Sequence, residues 1–359
     1  MTASPKPGPE GTVAAAPRAP APVAAPARPV LHVGPAPHLH SPETVPWIMR
    51  WVLIALLPAA AVSLWFFGVS ALRVLALSTL FCVGVEWLCL RVMRTPGTLS
   101  DWSAVVTGLL LGMNLPPTAP WWLILCGAIV AILIAKHLFG GLGSNIFNPA
   151  LTARVFLLVS WPTYMTTWLR PGVRGWIAPG ADLAAITEAT PLGLLKEGRL
   201  GEISAGSADL FFGNLGGSVG EISAIALLIG GALLLWKRII TWEVPAAFIG
   251  ATFVVTGAAW ALGGPQDYLA PHLHVLAGGL ILGAFFMATD MVTCPITFRG
   301  RLIYGVGCGL LTAVIRLWGG YPEGVSFAIL LMNAGTPMID HYLRPRTFGS
   351  VTARTEVAA

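Results

Sequence analysis

Long apolar stretches, separated by short polar segments, run along the chain from about residue 47 to residue 342. Two of them, Trp51–Phe67 and Trp121–Ala135, contain no charged residue. About 20 consecutive apolar residues suffice to cross a bilayer as a helix, so this pattern predicts membrane-spanning helices. Ten spans are predicted, with ends placed to within several residues: 47–66, 70–93, 103–116, 121–138, 150–168, 220–239, 242–263, 273–289, 301–317 and 324–342.

The composition supports the same conclusion. Of the 359 residues, 55% are hydrophobic and only 10% are charged, whereas a soluble globular protein is usually about 25% charged. A water-soluble enzyme is therefore excluded, and the predicted fold class is an all-α polytopic membrane protein. The basic residues lie at the ends of predicted spans, where membrane topology explains them. We therefore expect membrane lipid, and no nucleic acid, among the partners.

The distribution of lysine and arginine predicts the orientation of the spans. With a cytoplasmic N-terminus, the short outside loops are 117–120, 264–272 and 318–323, and they contain no basic residue. An even number of spans then places both termini in the cytoplasm. The long segment 169–219 would lie outside with four basic residues, which is compatible because long loops translocate largely regardless of charge.

The chain divides into five predicted regions. Residues 1–40 contain ten prolines and ten alanines, and such a composition cannot bury enough apolar surface to fold, so a disordered cytoplasmic tail is expected. A first five-helix membrane repeat follows at 41–168, and then an external loop at 169–219. A second five-helix repeat at 220–342 leads to a cytoplasmic tail at 343–359.

An internal repeat relates the two halves. Gly108–Gly112 in the third predicted span has the same pattern as Gly279–Gly283 in the eighth. Each half holds five spans, so the second half would enter the membrane in the opposite orientation, as in many transporters and channels. The third and eighth spans also run into the proline-containing segments Asn114–Pro117 and Ala288–Pro295. We therefore expect two inverted repeats in which helices three and eight are broken, with a ligand site near the breaks.

Two acidic residues are candidates for an ion path. Glu86 lies in the middle of the second predicted span, where a charge costs about 2.5–3.5 kcal/mol and normally faces the interior of the bundle. The alternative is a neutral glutamic acid that is hydrogen-bonded to a neighbouring helix. Asp290 follows the eighth span, and its alternative is an ordinary carboxylate at a helix end.

The glycine-rich segment 140–149, between spans four and five, is a candidate binding loop. Gly143 and its neighbouring glycines would allow a ligand to approach the backbone, and Asn145 and Asn148 could hydrogen-bond the polar edge of a ring. The segment lacks the lysine and the preceding strand of a phosphate-binding loop, so nucleotide hydrolysis is not expected. The alternative is a tight turn in which Asn148 and Pro149 begin the next helix.

Other polar residues do not predict a site. The five cysteines form no C-x-x-C pair and have no histidine at ligand spacing, so neither a disulfide framework nor a metal site is expected. His272 and His274 lack further ligands and are expected at a membrane interface. Three arginines near span ends are expected to extend their charged groups towards water: Arg73, Arg154 and Arg316.

Five longer motifs occur in a fixed order along the chain. They are Gly140–Ala150, Phe285–Thr293, Arg299–Gly305, Gly319–Phe327 and Asp340–Arg346. Together they resemble the RnfD family, whose members are membrane subunits of the Rnf electron-transport complex and are related to NqrB of the sodium-pumping NADH:quinone oxidoreductase. The resemblance runs from about His38 to Ser350, and therefore leaves out most of the tail.

The resemblance implies a covalent flavin. In this family FMN is attached through its phosphate to a threonine of an S/T-G-A-T motif, and Thr187–Thr190 occupies that place, so Thr190 would carry the phosphoester. Glu188 replaces the usual glycine, and Ala184 stands where the family often has an aspartate, with Asp182 two positions earlier. Related proteins also bind a second, non-covalent riboflavin, whose surroundings here would be broken helices three and eight and the loop containing Gly143, Asn145 and Asn148.

The resemblance also implies a role and partners. The chain would be a subunit of an ion-translocating oxidoreductase, moving electrons between NADH and ferredoxin coupled to sodium or proton movement. It contains no nucleotide-binding or iron–sulfur motif, so NADH-binding, iron–sulfur and second flavin subunits, together with a flavin transferase, would be its partners. It would lie in the bacterial inner membrane with its flavin loop in the periplasm. A channel or carrier for a small polar solute is the alternative, since it would share the inverted-repeat architecture.

Overall fold

The computed structural model describes residues 43–94, 99–172, 187–199, 206–264 and 266–344. The predicted tails lie largely outside these ranges, as do Asp182 and Ala184 of the external loop. The helices are α1 Val45–Phe67, α2 Val69–Met93, α3 Ser103–Met113, α4 Trp121–Ile129, α5 Pro149–Ser160, α6 Pro162–Met165, α7 Pro191–Lys196, α8 Ser207–Phe212, α9 Ala224–Trp236, α10 Glu243–Gly263, α11 Pro271–Leu276, α12 Leu280–Leu282, α13 Phe298–Trp318 and α14 Val325–Tyr342. Two of them continue as single π-helical turns, α4 through Val130–Ile134 and α12 through Gly283–Met287.

The predicted fold class is confirmed: the protein is an all-α polytopic membrane protein. The only β-pairing within the described residues is one isolated bridge between Leu169 and Thr187. Five helical segments are long and apolar enough to cross a membrane, and three shorter apolar helices accompany them. Each of the ten predicted spans contains helix, whereas the number of true crossings and the inverted repeat stay predictions.

The outer surface of the bundle carries large apolar side chains. Trp65, Val92 and Leu262 are exposed to an extent that would be costly in water. Such exposure suits a surface that faces lipid tails, which are as apolar as the side chains themselves. The buried core consists mainly of alanine, leucine and isoleucine side chains contributed by α1–α5, α9 and the π turns.

The predicted break in the third span is present. Helix α3 ends at Met113, and residues 114–120 are not helical. Backbone amides of the segment before α9 donate to this break, from Val219 to the Leu115 carbonyl at 3.0 Å and from Gly220 to the Met113 carbonyl at 2.7 Å. Two non-helical segments far apart in sequence therefore satisfy each other's backbone, as is required where water is scarce.

The eighth predicted span is broken in two places rather than one. It leaves the helical conformation after Met287, as the sequence predicts, but also between α11 and α12 at Ala277–Gly279. Gly278 has φ +68°, a conformation that glycine adopts without strain. The sequence prediction missed this first break because glycines are common inside membrane helices.

Candidate functional sites

A cavity with about 890 Å³ of empty space, adjoining solvent included, lies between the first helices of the bundle and the end of the π turn 283–287. We call it the large cavity. Its wall includes three of the predicted site residues, namely Asn145, Asn148 and Asp290. Most of the remaining wall is apolar, and its members include Ile48, Val52, Leu110, Leu234, Ile240 and Phe285. Gly143 is not part of this wall, although Leu142 is.

Asn148 serves as both a helix cap and a wall residue. Its Oδ1 accepts from the amides of Ala150 and Leu151 at 3.1 and 3.3 Å, while its Nδ2 donates to the Met287 carbonyl at 3.3 Å. Pro149 follows at the first helical position of α5, where its missing N–H costs nothing. The tight-turn alternative is therefore correct as local structure, and the turn also forms part of the large cavity.

Asp290 lies half-buried at the edge of the large cavity. Its Oδ1 accepts from the Val292 amide at 3.3 Å. This contact is typical of a carboxylate in a turn. The interpretation as a carboxylate at a helix end is thus supported, and its position on the cavity wall also leaves it accessible to a bound molecule.

Glu86 is buried within the bundle and forms an ion pair. The Lys136 ammonium donates to both carboxylate oxygens, at 2.6 and 2.8 Å, and also to Ser103 Oγ at 2.7 Å. His137 Nε2 lies 3.8 Å from the same carboxylate. The partner that Glu86 finds in the bundle is therefore a lysine, and the geometry is that of an ion pair. Lys136 also reaches the wall of the large cavity, so the pair connects Glu86 to it.

A second pocket, with about 430 Å³ of empty space including adjoining solvent, contains Thr190 in its wall. We call it the Thr190 pocket. Thr190 is half-buried and caps α7, accepting from the Gly193 amide at 3.1 Å. The remaining wall residues are Trp168, Pro191, Leu192, Leu210, Leu215, Gly216, Gly217, Glu221, Ile222, Ala277, Gly278 and Glu323. Thr187 is not among them, and its backbone forms the bridge with Leu169.

Helix α7 is held onto the bundle by Lys196. Its ammonium donates to the carbonyls of Gly319 at 2.6 Å and Ile315 at 3.2 Å, at the end of α13. Burial lowers the pKa of Lys196. Since Thr190 caps the same short helix, this contact fixes the position of Thr190 relative to the pocket.

Arg154 is the centre of a buried ionic network. Its guanidinium contacts Glu221 at 2.7 Å, Asn114 Oδ1 at 2.6 Å and the Glu323 carboxylate. The expectation that Arg154 extends towards water is therefore wrong, since only 5% of it is exposed. Its three partners come from the broken third span, the segment before α9 and the segment before α14, so the guanidinium joins distant parts of the chain.

Arg316 is also buried, and it stabilises the first break of the eighth span. It donates to the carbonyls of His274 and, at 3.1 Å, Ala277. Glu323 accepts from the Gly279 amide at 3.3 Å on the other side of the break. The expectation that Arg316 reaches water is therefore wrong. His274 is fully buried, so the expectation of a histidine at the membrane interface is also wrong. The Arg316 and Glu323 side chains replace the hydrogen bonds that the unwound backbone loses.

Metal ligation finds no support in the part of the chain that the structure describes. No group of three or more histidine, cysteine, aspartate or glutamate side chains there is arranged to hold an ion. All five cysteines are free.

The sequence as a whole matches known proteins along most of its length. The model of the NQR2, RnfD, RnfE family matches residues 32–349. The chain belongs to this family. The D subunit of the Na(+)-translocating ferredoxin:NAD(+) oxidoreductase complex of Acetobacterium woodii is 46% identical over 331 residues, which cover 92% of this chain and 98% of that relative.

Other members of the family are similarly close. The D subunit of the proton-translocating ferredoxin:NAD(+) oxidoreductase complex of Clostridium ljungdahlii is 45% identical, covering 89% of this chain and 97% of that relative. The D subunit of the ion-translocating oxidoreductase complex of Halorhodospira halophila is 40% identical, covering 87% and 94%. The names of these family members therefore include sodium and proton coupling at nearly equal identity.

Proposed function

We propose that this chain is the flavin-carrying RnfD-type membrane subunit of an Rnf complex, which moves electrons between NADH and ferredoxin coupled to sodium or proton translocation. Full-length similarity to proteins with these names supports the proposal. Partner subunits would oxidise NADH and hold the iron–sulfur clusters. The distribution of lysine and arginine favours cytoplasmic termini and a periplasmic position for Thr190 in a bacterial inner membrane.

The observation that carries this proposal is the pocket beside Thr190. A covalently attached FMN needs a hydroxyl for its phosphate and a nearby apolar slot for its ring. Thr190 supplies the hydroxyl, and Trp168, Leu192 and Leu210 supply apolar walls. The residues present therefore fit an FMN group attached at Thr190.

Bound FMN would supply one- and two-electron chemistry, while the protein supplies position and electrostatics. Within the pocket, Leu192 and Leu210 would exclude water from the ring. Glu221 and Glu323 would contribute negative charge to the same pocket, partly compensated by Arg154. Lys196 would keep α7, and with it the attachment point, fixed against α13.

Attachment can be tested by flavin fluorescence in a denaturing gel of the complex expressed with its flavin transferase. The wild-type chain should give a fluorescent band, and Thr190→Ala should abolish it because the phosphoester has no oxygen to form on. Thr167→Ala is the matched control: its hydroxyl bonds only to the Thr163 carbonyl, at 2.6 Å, and lies outside the motif. A wild-type band without fluorescence would show that Glu188 and Ala184 have abolished attachment, and would contradict the flavin assignment.

The large cavity is the proposed site of a second, non-covalent riboflavin. Its apolar walls are interrupted by a few polar groups, as is usual for cofactor sites. Asn145, Asn148 and Asp290 provide those groups.

The proposed carboxylates of the ion path are Glu86 and Asp290. Glu86 lies beside the Lys136 ammonium, and Asp290 lies on the wall of the large cavity.

Asn145→Leu should lower the amount of riboflavin released when the purified complex is denatured, because a hydrogen-bonding wall residue becomes apolar. Riboflavin is separated from FMN by chromatography and counted per complex. The fluorescent band of Thr190 should be unchanged. Asn214→Leu, an exposed asparagine away from the cavity, is the control. Equal riboflavin in both variants would remove Asn145 from the site.

A channel or carrier for a small polar solute is the second candidate. It is favoured by the broken helices and by a cavity that reaches into the bundle. A simple channel would have no use for a flavin, so the gel experiment separates the two candidates.

A further inference from the structure

We propose that Glu221 and Glu323 act as one proton-holding pair in the Thr190 pocket, which takes up a proton when an electron reaches the flavin and releases it when the electron leaves. This inference rests on the proposed attachment of FMN to Thr190. It assigns to the two glutamates a role as proton-binding residues beside the cofactor.

The two carboxyl groups are held side by side by one guanidinium. Arg154 Nη1 contacts Glu221 Oε1 at 2.7 Å, and Arg154 Nη2 contacts Glu323 Oε2. Both carboxyl groups therefore lie against the two terminal nitrogens of a single guanidinium. Two carboxylates this close repel each other, so a proton bound to either one is shared by the pair.

Both groups reach the pocket that contains Thr190. Among the described residues of its wall, Glu221 and Glu323 are the only ones with a titratable side chain. Space for them is provided by the glycines of the first break in the eighth span. A Cβ at Gly279 would lie 2.5 Å from Glu221 Oε1, and a Cβ at Gly278 would lie 2.7 Å from Glu323 Oε1. A side chain at Gly278 or Gly279 would therefore displace the carboxylates from the pocket.

Among the charged groups around the pocket, the two glutamates are the ones that can take up a proton when an electron is added. Arg154 and Arg316 are permanently protonated, and with both glutamates ionised the four groups sum to zero. Lys196 of α7 is held by two carbonyl oxygens at the end of α13. His274 on α11 is buried next to Arg316, and a second positive charge there would be repelled. An added electron makes the pocket negative, and one proton on the carboxyl pair restores neutrality.

The proposed step moves one electron and one proton. One electron comes through the partner subunits from NADH or ferredoxin, and one proton comes from water at the face of the membrane where Thr190 lies. The bound flavin would supply the electron-accepting group, Glu221 and Glu323 would hold the proton, and the attachment at Thr190 would stay unchanged. On reoxidation, when the electron returns to the partner subunits, the carboxyl pair would release its proton to water.

The test is the pH dependence of the midpoint potential of this one flavin in the purified complex. Its signal is isolated as the difference between redox titrations of the wild-type and Thr190→Ala complexes. The wild-type potential should fall as pH rises, since reduction then requires a scarcer proton. Glu221→Gln and Glu323→Gln should each flatten this dependence. Glu197→Gln, an exposed glutamate on the same external segment, should leave it as in wild type.

Several results would overturn the proposal. A wild-type potential that does not change with pH would do so, as would an unchanged slope in both glutamine variants that still show the fluorescent band. If these variants fail to assemble, the reduced-minus-oxidised infrared spectrum of the wild type decides. It must show a protonated carboxyl gained on reduction that is missing from the Thr190→Ala complex. A wild-type band without fluorescence would instead contradict the flavin attachment itself.

Discussion

Replacing Arg154 by methionine is expected to destabilise the protein by about 3–5 kcal/mol, the usual cost of removing one partner from a buried ion pair. Methionine fills much of the volume but leaves Glu221, Glu323 and Asn114 Oδ1 without their shared donor. The Tm of the detergent-solubilised complex should fall by several degrees. Because the three partners come from distant segments, the loss should also loosen the Thr190 pocket and lower its flavin content.

Two further variants separate the geometry of Arg154 from its charge. Arg154→Lys keeps the charge, but a single ammonium cannot reproduce the planar set of donors that spans three acceptors, so we expect only partial recovery of the Tm. Arg170→Met removes an exposed arginine of the same region and should change the Tm very little. If Arg154→Met were as stable as Arg170→Met, the buried network would contribute nothing to the fold.

Local sequence patterns predict the helices and one break because both depend on neighbouring residues. The apolar runs mark α1 and α2 to within two residues, and Pro116 and Pro117 mark the end of α3. Asn148 followed by Pro149 predicts the start of α5 for the same reason, since a cap and the first turn are adjacent in the chain.

The ionic networks could not be predicted in this way. Arg154 pairs with residues 67 and 169 positions away, and Lys136 is 50 positions from Glu86. A charged residue near the end of an apolar run is compatible with reaching water or with burial beside a partner, and only the fold brings the partner into place. Lys136 also fits the distribution of basic residues that marks membrane orientation, and this obscured its role as the partner of Glu86.

The first break of the eighth span could not be predicted for the same reason. Gly278 and Gly279 permit unwinding, but glycines also occur in regular membrane helices, so the sequence alone does not show that the helix is broken there. What stabilises the unwound backbone is remote: Arg316 binds the Ala277 carbonyl and Glu323 binds the Gly279 amide. Breaks that contain proline are thus visible in a sequence, whereas breaks that depend on distant charges are not.

Glu86→Gln is expected to lower stability by about 3–5 kcal/mol and to impair ion transport more than flavin content. The substitution leaves the Lys136 ammonium buried with only Ser103 Oγ and a neutral amide as partners, and an unpaired buried charge is costly. Ser103→Ala provides the control, because it keeps the ion pair and removes only two hydrogen bonds, the one from Lys136 and the one to Asp101 Oδ1, at a cost of about 1–3 kcal/mol.

The double variant Glu86→Gln/Lys136→Met then distinguishes a structural carboxylate from one on the ion path. Removing both charges should restore most of the Tm, since no unpaired charge remains. If Glu86 binds the transported ion, transport driven by NADH or ferredoxin in sealed vesicles should stay impaired although the fold has recovered. Recovery of transport together with the Tm would show that the carboxylate serves only to neutralise Lys136, and would leave Asp290 as the candidate carboxylate of the path.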